Sequence, residues 1–319
     1  NNIINKSSDI ILSTHMNPDG DGLGSQLALY YYLMHLGKSC RIINTSPIPD
    51  HYSFLDPDNK IEQFSEKMHA SVFKKCDVFI ALDIGDYKRM NEIVSQITIN
   101  NIYSISIDHH PEDESFFDLS LVDVESPATG FLVWDYFLYN NYKDIPLNAA
   151  KALYCALITD TGSFKYNSTT PACHRMAAHL IECGVKPYDI YDLVYERREL
   201  SQINLLSYVI SNLSFYSDGE FAGFIITHDV IRSKNAKYQD VEGFTDFVRS
   251  IKGVQVSFMI LEQKNDIRVN FRSRGKYVIN DIAKYFGGGG HKLAAGATIS
   301  NQSIEEINDK IIKLLKRKI

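Results

Sequence analysis

The chain has 319 residues, of which 45% are hydrophobic and 23% charged, and a formal net charge of −6. That length suits two compact domains, the composition excludes a disordered chain, and a net acidic charge argues against wholesale coating of nucleic acid. No window approaches 18 consecutive apolar residues, so no membrane span is expected, and the start at Asn1 shows no basic-then-apolar signal pattern.

The first half alternates apolar β-type runs with helical stretches. Residues 10–14 read as a short strand that breaks into a Pro/Gly/Asp loop, followed by a helix over 24–37. Strands are predicted over 40–44, over 77–82, which is continuously apolar as in a strand buried on both faces, and over 102–107. Residues 149–158 read as a helix packed on the sheet. Strand, loop and helix in this order predict an α/β fold with a doubly wound, mostly parallel sheet. Residues 170–211 read as helical, broken at Gly184 and Pro187, with a connector in the later part. From Leu213 the texture changes. Strands are predicted over 213–216, 221–227, 255–262 and 267–273, and helices over 277–286 and 303–318, as in a smaller α+β domain. The expected boundaries are 1–193, a helical linker over 194–212, and 213–319.

Four segments concentrate metal-ligand residue types, each after an apolar run. They are His15 with Asp19 and Asp21, then Asp83, then Asp108-His109-His110, then Asp160. Loops that follow parallel strands gather at the carboxyl edge of a sheet, so distant segments can form one site there. Any one of these residues alone is more often a turn, a cap or a surface group. Together they amount to five carboxylates and three imidazoles. Such a set repels itself unless protons or cations compensate. Mixed carboxylate and imidazole donors favour Mn²⁺, Fe²⁺ or Co²⁺ over a thiolate zinc site. Two ions about 3.5–4 Å apart, sharing a carboxylate and lowering the pKa of a water between them, would use most of the set.

These motifs, with Gly287 to Gly290, His291 and Ala294-Ala295-Gly296 near the C-terminus, make the chain resemble the DHH/DHHA1 phosphoesterases. Within them it is most similar to the NrnA-like branch of oligoribonucleases (nano-RNases) and pAp phosphatases. The likeness runs through nearly the whole chain in order. It implies a DHH domain followed by a DHHA1 substrate domain that closes over the metal cleft. It further implies His15, Asp19 and Asp83 on one metal and Asp21, Asp83, His109 and Asp160 on the other, with manganese the expected ion. Asp83 would bridge, Asp108 would orient an imidazole, and His110 would meet the substrate phosphate.

Charge is uneven along the chain: residues 213–319 carry 17 Lys/Arg against 12 Asp/Glu, while the remainder carry 16 against 27. The basic part suits an anionic substrate. Arg272, Ser273 and Arg274 end a predicted strand, and guanidinium forks bind phosphate well. Gly289, Gly290 and His291 form a glycine loop whose backbone N–H groups can approach an anion closely. Phe164 and Tyr166 are of a type that can stack on a base, and they read as core. Arg197-Arg198 read as surface ion-pairing groups, and the basic tail 313–318 as favourable charge at a helix end. The five scattered cysteines, Cys40, Cys76, Cys155, Cys173 and Cys183, have no C-x-x-C pair and read as reduced thiols of a cytoplasmic protein.

The expected activity is hydrolysis of short single-stranded RNA to 5′ mononucleotides, with 3′-phosphoadenosine 5′-phosphate as a second substrate. The alternatives are a linear or cyclic dinucleotide phosphodiesterase, an exopolyphosphatase or pyrophosphatase-like enzyme, and a non-catalytic nucleotide sensor. Family precedent is compatible with a homodimer.

Overall fold

A computed structural model describes residues 1–111 and 116–319. Contacts divide the chain into two units, Asn1–Arg197 and Arg198–Ile319.

In the first unit, six strands form one sheet: β1 (Asp9–Ser13), β2 (Ser39–Asn44), β3 (Ile61–Gln63), β4 (Val78–Leu82), β5 (Tyr103–Asp108) and β6 (Leu119–Val122). Their order is β3-β2-β1-β4-β5-β6, and every pair is parallel. The chain runs outward from β1 through β3, then crosses back to β4 on the other side. That reversal makes the β1/β4 junction the switch point, where a crevice opens beyond the strand ends.

The strands are apolar because both faces are covered. Ile10, Leu12, Ile42, Ile80 and Leu82 face a core completed by the helices Gly20–His35, Thr129–Tyr139, Leu147–Asp160 and Pro171–Glu182. Ile11, Ile43, Phe79 and Ala81 face the opposite core, under the helices Glu66–Phe73 and Glu92–Asn100. Alternation along each strand sends neighbours to opposite layers. All five residues of β4 are buried, as the unbroken apolar run predicts.

The helix Gly20–His35 starts four residues earlier than its apolar pattern suggests, capped by Asp19. It packs tightly on the helix Leu147–Asp160. A Cβ at Gly24 would lie 2.3 Å from the Ala152 carbonyl oxygen and 3.0 Å from the Ala156 Cβ. Gly24→Val is therefore expected to force the helices apart and destabilise the unit by about 1–3 kcal/mol or more. Thermal unfolding followed by circular dichroism checks this, and an unchanged melting temperature would contradict it.

The second unit is α+β. Its strands β7 (Ser214–Tyr216), β8 (Phe221–Ile226), β9 (Val256–Glu262), β10 (Ile267–Ser273), β11 (Gly289–His291) and β12 (Ala294–Ile299) form a sheet of order β11-β12-β10-β9-β8-β7. Only the β8–β9 pairing is parallel among those described. One face packs Phe258, Val269 and Phe271 against the helices Asn280–Tyr285 and Ile304–Lys316. The other packs Ala222, Phe224 and Met259 against the helices Leu200–Ser211, His228–Ser233 and Phe244–Arg249.

Two expectations change here. The helix Leu200–Ser211, read as part of a connector, buries Leu205 and Val209 in the second unit's core, so contacts assign it to that unit. The glycine run is only partly a loop, because Gly289–His291 is an edge strand paired with β12. Two members of the run are glycine for close packing: a Cβ would lie 2.1 Å from the Gly296 carbonyl oxygen at Gly288 and 2.6 Å from the Ala294 carbonyl oxygen at Gly290.

All five cysteines are free, and burial pushes the Cys76 thiol up to about 12. Among the described residues no helix is long and apolar enough to cross a membrane.

Candidate metal centre

The carboxyl ends of β1, β4 and β5 deliver three of the four acidic segments to one place. His15 lies two residues beyond β1, Asp83 follows β4 directly, and Asp108 is the last residue of β5. Asp160, the last residue of the helix Leu147–Asp160, completes the set. The chain then turns through three residues with positive φ, Gly162, Ser163 and Phe164.

Three overlapping groups of side chains could each hold a metal ion: His15, Asp19 and Asp83; Asp21, His109 and Asp160; and Asp83, His109 and His110. Asp83 stands between the first two. Its Oδ2 lies 3.7 Å from His15 Nε2, and its Oδ1 lies 3.6 Å from His109 Nε2 and 3.3 Å from His110 Nδ1. His15 Nε2 is also 3.7 Å from Asp19 Oδ2. His109 Nε2 is 3.1 Å from Asp160 Oδ2 and 3.8 Å from Asp21 Oδ2.

Three of the carboxylates, Asp19, Asp21 and Asp108, are held by donors behind them. Asp19 caps the helix it begins, its Oδ1 accepting the Asp21 and Gly22 N–H groups at 3.1 Å each. Asp21 is fully buried and accepts the Thr129 N–H on Oδ2 at 2.7 Å, and the Gly130 N–H and Ser25 hydroxyl on Oδ1 at 2.8 and 3.0 Å. Those N–H groups begin the helix Thr129–Tyr139, whose positive end favours the charge. Asp108 accepts the Ile84 and Gly85 N–H groups on Oδ2, both at 2.7 Å, and the His110 N–H and Nδ1–H on Oδ1, both at 2.9 Å. It steers His110, and it belongs to none of the three groups.

The charge balance of the pocket calls for a cation. Burial first, then Asp83 and Asp160, push the Asp21 carboxyl well above the usual range. Burial and the neighbouring Asp19 and Asp83 raise Asp160 to about 6, despite its contact with His109. Burial opposes protonation of both histidines, yet Asp160 and Asp21 lift His109 to about 9, and Asp108 and Asp83 lift His110 to about 11. The donor set fits a divalent ion on a further observation. His109 Nε2 is buried without an aligned hydrogen-bond partner, while Nδ1 reaches the Ser126 carbonyl at 3.2 Å. A carbonyl only accepts, so in the neutral ring Nδ1 holds the proton and Nε2 turns its lone pair to the carboxylates.

Several residues around the centre go unannounced in the sequence. Arg89 Nη2 lies 2.7 Å from His15 Nδ1, and its Nη1 donates to the Ile84 carbonyl at 3.1 Å. Thr129 donates its hydroxyl to Asp83 Oδ1 at 3.2 Å. The Ser126-Pro127-Ala128-Thr129-Gly130 run ahead of an apolar helix has the composition of a helix start, which was the available signal. Phe164 stacks on His174 at 4.9 Å. Arg197 pairs with Asp192.

The expected substrate residues of the second unit divide by their partners. Arg272 donates Nε to Asp246 Oδ2 at 3.0 Å. It stands opposite Ala294, which stands opposite His291. Residues directly opposite share a sheet face, so Arg272 and His291 flank a small residue, about 10 Å apart at two strand spacings. Gly289 and Gly290 lie on the same edge strand. Ser273 is buried, donating to the Tyr277 carbonyl at 2.5 Å, and Arg274 donates to the carbonyls of Arg249, Val254 and Ser250. Arg272→Ala is thus expected to raise KM about 10-fold or more with little change in melting temperature. Arg274→Ala should lower stability by roughly 1 kcal/mol through its carbonyl partners. Steady-state kinetics and thermal unfolding of both variants check this, and the reverse pattern would refute it.

The fold and site have the architecture of a DHH domain followed by a DHHA1 domain. Family models agree: the DHH family N-terminal domain matches residues 9–157, and the DHHA1 domain matches residues 222–317. The chain belongs to the DHH/DHHA1 phosphoesterase family. It is 28% identical over 315 residues to a Thermus thermophilus protein named bifunctional oligoribonuclease and PAP phosphatase NrnA, spanning 97% of this chain and 90% of that one. A Bacillus subtilis protein of the same name is 27% identical over 292 residues, 91% of this chain and 89% of that one. The crystal structure of an exopolyphosphatase-related protein from Bacteroides fragilis superposes with a TM-score of 0.94 at 29% identity, covering 99% of this chain and 94% of that one.

Proposed function

We propose that this chain hydrolyses short single-stranded RNA oligonucleotides to 5′ mononucleotides, and 3′-phosphoadenosine 5′-phosphate to AMP, with two divalent cations, manganese by preference. The observation that carries this reading is the pair of His/Asp groups on either side of Asp83. His15, Asp19 and Asp83 would hold one ion, and Asp21, Asp83, His109 and Asp160 the other. When bound, such ions supply Lewis-acid charge and lower the pKa of a water. Asp108 holds the His110 ring beside Asp83, where an imidazole is suited to charge developing on a phosphoryl oxygen. Arg272 and His291, with Gly289 and Gly290, are the proposed substrate-binding residues of the second unit. The relatives named NrnA support the substrate class.

The similar structure of the exopolyphosphatase-related protein favours a second reading, inorganic polyphosphate. Purified protein freed of metal and reloaded with Mn²⁺ would be given a labelled dinucleotide, a 24-nucleotide RNA, pAp, cyclic di-AMP and polyphosphate. Preferred turnover of the dinucleotide and pAp is expected. Preferred turnover of polyphosphate would replace the RNA reading, and no turnover of any substrate would refute both.

A further inference from the structure

We propose that Thr129 is a positioning residue for the metal centre, fixing the rotation of the Asp83 carboxylate so that each oxygen serves a different ion position. The proposal rests on the two-cation reading above. A carboxylate that bridges through both oxygens presents one to each side, and its terminal torsion is intrinsically loose. Asp83 Oδ2 faces His15, while Oδ1 faces His109. Between these settings the fully buried Thr129 hydroxyl donates to Oδ1 alone, at 3.2 Å.

The placement of that hydroxyl is itself tied to the other side of the site. The Thr129 and Gly130 N–H groups clasp the Asp21 carboxylate, and the Ser126 carbonyl accepts from His109 Nδ1. Five consecutive residues, 126–130, therefore touch three of the four side chains assigned to the second ion and none of the pair that completes the first. Gly130 is required for that closeness, because a Cβ there would lie 2.5 Å from the Ala156 Cβ and 3.3 Å from Asp21 Oδ1. Thr129 thus acts on the His109 side of the bridge.

The test uses Thr129→Val, which removes the hydroxyl and keeps the branched shape and the backbone clasp, and Thr129→Ser, which keeps the hydroxyl. Mn²⁺ binding to the EDTA-treated full chain would be followed by calorimetry and by electron paramagnetic resonance. Asp160→Asn identifies the step that belongs to the His109 side. Thr129→Val is expected to weaken that step about 10–100-fold, the usual size for a group that orients a ligand, and to weaken the other step less, since the hydroxyl holds Oδ1 directly and Oδ2 only through the shared torsion. Thr129→Ser should restore it. Unchanged binding in Thr129→Val, equal weakening of both steps, or failure of Thr129→Ser to restore would each overturn the proposal. If the unmodified chain binds no Mn²⁺, the two-cation reading itself fails and takes the proposal with it.

Discussion

Asp83→Asn should lower kcat/KM on a labelled dinucleotide by about 10³-fold or more, a loss of about 4 kcal/mol in transition-state stabilisation. The reason lies in its position, since it is the one carboxylate shared by two of the candidate groups. Replacing another ligand would weaken one position, whereas neutralising Asp83 withdraws an anionic donor from both. Asn is the informative substitute. Asp83 has φ of 57°, a left-handed backbone that Asp and Asn tolerate and most residues do not. Asp83→Ala would add backbone strain to the loss of charge and confuse the two effects. The variant should remain folded, with Mn²⁺ content falling in parallel with activity. Retention of full activity by a folded Asp83→Asn protein would remove it from the centre.

Metal removal should lower the melting temperature of the first unit. Burial first, and then repulsion among the carboxylates gathered around Asp83, raises the Asp21 and Asp160 carboxyls. A ligand present at 100 times its dissociation constant stabilises the folded state by about 2.7 kcal/mol. For a unit of this size that corresponds to roughly 5–10 °C. Differential scanning calorimetry of the EDTA-treated chain, before and after adding Mn²⁺, would measure the shift. Asp83→Asn should lose most of it. An identical melting temperature with and without Mn²⁺ would contradict the assignment of these groups as ligands.

Much of this was legible in the sequence for a geometric reason. Strands buried on both faces have to be apolar, so a lone Asp or His at the end of such a run marks the edge where ligands gather. Asp83 after the fully buried β4 is the clearest instance. Thr129 and Arg89 were not legible in this way. The contacts of residues 126–130 run largely through backbone N–H and carbonyl groups, which carry no residue identity. Arg89 meets His15 from 74 positions away. Strand β12 escaped because Ala294 to Ala297 are small residues with little strand preference, chosen for close packing against β11. The Arg-Ser-Arg segment read as one anion-binding unit, yet its alternation along β10 turns Ser273 inward while Arg274 serves carbonyl groups at the strand's end.

The site draws its side chains from residue 15 to residue 160, and the last of them sits at the end of the helix Leu147–Asp160. A growing polypeptide carries the residues of β1, β4 and β5 before it carries that final donor. On the proposed assignment, the second ion can be captured with its full set only after about half of the chain has been synthesised and that helix has docked on its neighbour beginning at Gly20. Cation uptake would then report folding of the chain through Asp160, so that a chain arrested or clipped before Asp160 carries a centre open on one side.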